Sequence, residues 1–208
     1  MAGRRKRLTA AERRAQLIGV GRKVFARHGY EATSVEQLAK AAKVSKPIIY
    51  EHFGGKEGLY AVVIDREMEH VVTLITKSIS TGSPRERAEQ AALAFLMYVK
   101  EEPDGFAVLR HDSPTSQGAS GLSSMLSTVA ERVGAVFADS FKSAGYNTKY
   151  APLYAHALIG MVTFVGQWWT DDAHKHSVED AASHLSGLAW MGLRHLPKDP
   201  TPVRPISK

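Results

Sequence analysis

The chain has 208 residues, 27 lysines and arginines against 21 acidic residues, and no cysteine. That length can bury a full core, as one large domain or as a small domain on a larger one, while the missing cysteine excludes a disulfide scaffold, a thiolate zinc site and a cysteine nucleophile. The net charge of +6 is unevenly placed: residues 1–55 carry 12 basic and 4 acidic side chains, and the remainder 15 and 17. A polyanionic partner is expected at the basic end, although a basic terminus is also common as a solvated tail. The charged start has no apolar run behind it, so it does not read as a signal peptide, and a cytoplasmic protein is expected.

Residues 1–8 form a basic arm with Arg4, Arg5, Lys6 and Arg7; it has little to bury and is expected to be disordered without a partner. Thr9 and Glu12 have the spacing of a capping box and open a helix to about His28, with Leu17, Ile18, Val24 and Phe25 on one face and Gly29 as its stop. Within it, the run from Gly19 to Val24 resembles the start of a dinucleotide fingerprint but lacks the third glycine and follows no strand, so it is set aside. Ser34 and Gln37 make a second capping box before an apolar stripe of Val35, Leu38, Ala39 and Ala42. Ser45 is expected to cap a third helix, with Ile49 and Phe53 facing inward and Lys46, Ile48, Tyr50, Glu51 and His52 facing outward. Two short helices joined by a tight turn, the second with a chemically mixed outer face, suit entry into a major groove.

Gly54 and Gly55 break the third helix, and Lys56 opens a connecting helix to about Thr76. Ser83 and Glu86 form another capping box, opening a helix to about Glu101 that presents Ala92, Phe95, Leu96 and Val99. Pro103 restarts a short helix with Phe106, Val108 and Leu109, and residues 111–121 read as a flexible polar loop. Residues 122–144 repeat Met125, Val129, Val133, Val136 and Phe137 at helical spacing, and Gly145 closes them. Residues 150–170 are apolar nearly all round, but His156, Thr163 and Gln167 interrupt them and no flanking anchors mark a membrane span. A helix buried on several sides, one of them against a second subunit, is expected instead. A last helix carries Val178, Ala182, Leu185, Leu188 and Leu193, so the two helices can form a four-helix interface with their symmetry mates. Gly160, Thr163, Trp169, Leu185, Leu188 and Gly192 are the candidate interface residues. The proline-rich tail, residues 197–208, is expected to be disordered. No alternating strand pattern and no internal repeat occurs, so the chain reads as all-α.

The N-terminal part of the chain, about 50 residues, is similar to the DNA-binding domain of the tetracycline-repressor (TetR) family of bacterial regulators. The resemblance rests on Phe25, Gly29, Thr33, Leu38, Ala39, Ala42, Val44, Ser45, Ile49, Tyr50, Phe53, Lys56 and Leu59, in order and at the family's spacing. It implies a helix-turn-helix domain over 9–55 and a helical effector-binding and dimerisation domain over 56–196. It implies too a homodimer on a palindromic double-stranded operator, a small-molecule effector, and repression more than activation. Lys43 stands where many members have glycine, and Pro47 and Ile48 replace small or hydroxylated residues.

On chemical grounds, Thr33, Ser34, Ser45, Lys46, Tyr50, His52 and Lys56 are candidates to meet DNA, chiefly at phosphates. Pro47 and Ile48 have no hydrogen-bonding side chain, so their contact would be apolar, with thymine methyls; Ile48 can equally be a third core position. Arg4–Arg7 can follow the minor groove or merely add nonspecific attraction.

Candidate effector-pocket residues are Phe95, Tyr98, Phe106, Leu109, His111, Met125, Val129, His156, Phe164, Gln167 and Trp168, each of which can equally be plain core. Their chemistry favours an apolar or aromatic ligand, with one tryptophan facing the pocket and its neighbour the dimer seam. Asp171, Asp172, His174 and His176 lack the fixed spacing of a metal site, so neither metal nor cofactor is expected. No nucleophile elbow, zinc-protease motif, P-loop or paired-carboxylate motif occurs, which argues against an enzyme. A sequence-indifferent nucleic-acid packaging protein is the alternative, and the large apolar C-terminal part argues against it.

Overall fold

The computed structural model describes residues 8–110, 121–171 and 176–198, with backbone alone at 84, 121–125 and 171. Nine α-helices and one 3-10 turn, with no strand, occur among the described residues. They divide into two compact units, residues 1–73 with 101–125, and residues 74–100 with 126–208. Residues 1–7 of the basic arm, the loop of residues 111–120, Asp172, His174 and residues 199–208 lie outside the described residues.

The first unit is built on α1 (Ala10–His28), α2 (Val35–Ala42), α3 (Lys46–Phe53), the first part of α4 (Lys56–Ser78) and α6 (Pro103–Arg110). Thr9 and Glu12 make the capping box: the Thr9 N–H donates to Glu12 Oε2 at 2.7 Å, and the Glu12 N–H to Thr9 Oγ1 at 3.2 Å. Leu17, Ile18, Gly21 and Phe25 form the buried stripe of α1, and Gly21 lets the Leu59 side chain approach to where a Cβ would stand 3.2 Å away. Phe25 and Tyr60 meet edge to face at 4.9 Å and seal this core. Helix α6 packs along α1 and buries Gly105, Phe106, Val108 and Leu109.

The second unit contains the end of α4, most of α5 (Pro84–Glu101) and α7 (Gly121–Ala144), α8 (Ala151–Asp171) and α9 (Val178–Arg194). Ser83 and Glu86 cap α5 reciprocally, at 2.7 and 3.3 Å. Helix α8 approaches α5 at Gly166, where an added Cβ would stand 3.0 Å from the Phe95 ring. No helix of the described residues is long and apolar enough to cross a membrane.

The helical phase of α8 and α9 reverses several expected placements. Trp169 is 6% exposed and its Nε1–H donates to the His176 carbonyl at 3.2 Å, whereas Trp168 is 47% exposed. Phe164 is 72% exposed, and His156 lies at the surface with Nδ1 2.7 Å from the Pro152 carbonyl oxygen. Phe164, Trp168 and His156 therefore do not line an interior cavity. Thr163 and Leu185 are buried and, like Trp169, face the unit's own core and not outward. The physical reason is that adjacent positions on a helix point about 100° apart, and an almost uniformly apolar helix offers no polarity to choose the phase. Gly160, Leu188 and Gly192 do reach the surface. Phe95, Tyr98 and Val129 are core of the second unit, and Phe106 and Leu109 are core of the first. Gln167 is half-buried; His111 and the Met125 side chain lie outside the described residues.

Candidate nucleic-acid interface

Helix α2 begins at Ser34 with the expected capping box: the Ser34 N–H donates to Gln37 Oε1 at 2.7 Å, and the Gln37 N–H to Ser34 Oγ at 3.2 Å. Leu38, Ala39 and Ala42 bury its inner face. The turn that follows puts Lys43 at φ 55° and ψ 45°, the one non-glycine residue with positive φ among the described residues. Glycine is favoured there because a Cβ crowds the following carbonyl.

Helix α3 differs from expectation at its start. Ser45 occupies the N-cap position but its side chain makes no capping hydrogen bond. An N-cap oxygen normally accepts from the N–H of the second or third helical residue. Pro47, in the second position, has no N–H, and the Ile48 N–H donates to the Ser45 carbonyl at 3.1 Å instead. Within α3 only Ile49 is buried, at 0% exposure. Ile48 and Phe53 are half-buried, so Ile48 is not a third core position.

The outward face of α3 carries Ser45, Lys46, Pro47, Tyr50 and Glu51, all exposed, with His52 half-buried. Tyr50 is 54% exposed, and its ring edge rests 3.4 Å from where a Cβ on Gly55 would be. Lys46 forms an exposed ion pair with Glu36 of α2; such pairs contribute little in water, so its ammonium can exchange that partner for a phosphate.

Thr33 departs from the expected phosphate role. It is 2% exposed and its Oγ1–H donates to the Gly29 carbonyl at 2.6 Å. The hydroxyl holds the α1–α2 turn, because a buried hydroxyl without a partner would be costly. Lys56 is likewise engaged: Nζ donates to the Tyr30 carbonyl at 2.9 Å and stands 4.0 Å from the Tyr30 ring centroid. Its ammonium has donors to spare for an anion.

Long-range side-chain contacts hold this unit together. Arg14 Nη1–H donates to the His52 carbonyl at 2.5 Å, with the guanidinium 4.4 Å from the Phe53 ring centroid. Gln16 Nε2–H donates to the Ala42 carbonyl at 3.3 Å. A Cβ at Gly58 would fall 1.9 Å from the Phe53 carbonyl oxygen, so glycine alone lets α4 begin where it does. On the far part of α1, Arg22 Nη2 lies 2.5 Å from Glu102, and His70 Nε2 lies 2.7 Å from the same carboxylate. Burial raises the Glu102 carboxyl, but hydrogen bonds from His70 and Arg22 and the Arg22 charge outweigh it, so the net shift is downward. Arg22 is held above its ordinary value: burial opposes its charge, and Glu67 and Glu102 more than restore it. None of the side-chain hydrogen bonds and ion pairs carries a local sequence signature, since their partners are 26 to 80 positions apart.

Residues 17–63 match the model for bacterial regulatory proteins of the tetR family, and residues 75–201 match that for tetracyclin repressor-like C-terminal domains. The chain is 27% identical over 195 residues, covering 93% of itself and 89% of its relative, to the HTH-type transcriptional activator FasR of Mycolicibacterium smegmatis. A TetR-like transcriptional regulator from Rhodococcus sp. RHA1 superposes with a TM-score of 0.73 at 29% identity, over 91% of this chain and 100% of that one. The structure of AibR in complex with isovaleryl coenzyme A and operator DNA gives a TM-score of 0.69 at 19% identity, over 85% and 97%. At that identity it speaks for the fold alone.

Proposed function

The chain belongs to the tetR family of bacterial regulatory proteins, a family of DNA-binding transcriptional regulators and not of enzymes, and from that premise we propose that it works as a ligand-responsive homodimeric repressor. Two copies of α3 would enter successive major grooves of a palindromic operator. The observation that carries the reading is the outward face of α3, where Lys46, Pro47 and Tyr50 stand free of the core on a helix anchored by Ile49.

In this reading Tyr50, Lys46, Lys56, Ser34, Ser45 and His52 hold phosphates and set register, while Pro47 and Ile48 offer thymine methyls an apolar surface. Arg4–Arg7 reach along the minor groove; deleting residues 1–7 should then change sequence preference, and a reduced salt slope alone would overturn that part.

Dimerisation is assigned to a stripe on the second unit. Leu153, Phe164 and Trp168 on α8 and Leu188 and Met191 on α9 are 62%, 72%, 47%, 66% and 58% exposed, with Gly160 and Gly192 on the same surfaces. On α8, Gly160, Phe164 and Trp168 recur four apart with Leu153 two turns earlier, and on α9 Met191 and Gly192 stand three and four after Leu188, which is the pattern of a face that meets another helix.

An apolar or aromatic effector bound in the C-terminal helical domain would release the operator. Free apolar and aromatic compounds are the first panel to screen, and acyl coenzyme A thioesters, apolar only in their acyl group, are the second because a protein of this fold has been captured with one. Repression needs the fewest parts, since a dimer across a promoter excludes polymerase by volume alone. The relative FasR is named an activator, so a promoter reporter decides: a signal that falls when the protein is expressed supports repression, and a rise overturns it.

The primary test is selection of bound duplexes from a random library at near-physiological salt, with the dimer verified by light scattering. A palindrome whose half-sites are about one helical turn apart is expected. Loss of all binding to bulk genomic competitor would instead favour a sequence-indifferent packaging protein.

A further inference from the structure

The last carbonyls of a helix have no partner within it and must find a donor elsewhere. In the first unit, α1 supplies two such donors. Arg14 bonds the His52 carbonyl in the last turn of α3, and Gln16 bonds the Ala42 carbonyl at the last residue of α2. Arg14 also lays its guanidinium carbon 4.4 Å from the centroid of the Phe53 ring, so it holds the end of α3 through a directional bond and a cation–π contact together. Both groups on α3 are independent of the outward side chains: one is main chain, and Phe53 is half-buried.

We propose that Arg14 is a positioning residue for operator recognition: it sets the tilt and depth of α3 from its C-terminal end, with Gln16 setting the end of α2. The inference rests on the reading that α3 enters the major groove. A helix of 8 residues whose one fully buried side chain is Ile49 can pivot about it unless one end is held. Arg14 removes this freedom, and its cation also complements the negative end of the helix dipole. Base contacts need their donors and methyls at fixed positions, whereas phosphate attraction tolerates a shift of the helix. Arg14 therefore governs the ratio of specific to nonspecific affinity more than affinity itself.

The experiment compares wild type, Arg14→Met and Arg14→Lys, each checked for helical circular dichroism at the assay temperature. Wild type first selects duplexes from a random library; enrichment establishes a specific probe, and failure at this step counts against the groove-binding reading, not against Arg14. Affinities for the enriched duplex and for poly(dI-dC) are then measured across salt. For Arg14→Met the ratio of the two affinities should fall about tenfold with an unchanged salt slope. For Arg14→Lys, which keeps the charge but cannot reach the carbonyl and the ring at once, it should fall about threefold. An equal loss on both duplexes with a slope reduced by about 0.9 would make Arg14 a phosphate contact and overturn the proposal. Unchanged ratios would overturn it as well. Should Arg14→Met not fold, the ratio measured with Arg14→Lys decides alone.

Discussion

Glu67, only 8% exposed, is matched by Arg22 of the first helix, whose Nε stands 2.7 Å from its Oε1. The Nε–H does not point at that oxygen, so the contact is an ion pair; the hydrogen bond runs from Nη2 to Oε2 at 3.1 Å. Arg22 thereby ties α1 to α4 and, through Glu102, to the start of α6. Arg22→Met should cost about 1–3 kcal/mol, because it leaves the buried Glu67 carboxylate without this donor and Glu102 without its cation. Urea denaturation measures this, and a midpoint equal to wild type would show that the pairings contribute nothing net.

The same cluster gives stability an acid limb. Glu102 has its carboxyl pKa below the ordinary value of 4.5 in the folded protein. A depressed carboxyl contributes stability that is fully present above the unfolded value and is lost as pH falls through the folded one. Stability should therefore decline below pH 4.5, and Glu102→Gln should flatten that decline while lowering stability near neutral pH. Equal slopes for the two proteins between about pH 5 and 3 would refute it.

Two serines at equivalent helix positions should behave unequally. Ser34→Ala breaks a reciprocal cap and should cost about 1 kcal/mol. Ser45→Ala removes an oxygen that caps nothing, because Pro47 took away one of its donors, and should cost less than about 0.5 kcal/mol. Thermal unfolding of both variants tests the contrast; equal losses would mean that Ser45 caps α3 after all.

Lys43→Gly should stabilise the protein by about 0.5–1 kcal/mol, since the turn holds position 43 in the left-handed region that glycine enters freely. A lower denaturation midpoint for this variant would indicate that the lysine side chain contributes more than the backbone strain costs.

Phe164→Asp or Leu188→Asp, placed in the proposed dimer surface, should yield a folded monomer by light scattering, because a carboxylate buried between two subunits without a partner is disfavoured by several kcal/mol. Trp169→Phe, inside the unit, should leave the dimer intact. A dimeric Phe164→Asp would move the interface elsewhere.

The local architecture was legible in the residues because it depends on neighbours within one turn. The capping boxes at Thr9, Ser34 and Ser83 and the glycine stops at 29, 54 and 145 follow from side chains and φ values that tertiary packing scarcely alters. Even the silent Ser45 is in principle readable, since Pro47 stands two places on. The basic end and the mixed outer face of α3 were equally plain, and with them a DNA-binding reading. Tertiary structure alone decided which side of α8 faces inward, where an apolar sequence gives no preference between Trp168 and Trp169. It alone buried the Thr33 hydroxyl under the α1–α2 turn. It also brought Arg14 to His52 and Arg22 to Glu67 and Glu102, across 38, 45 and 80 positions. Such pairs leave no periodic trace, because the chain between them sets their meeting only once it has folded.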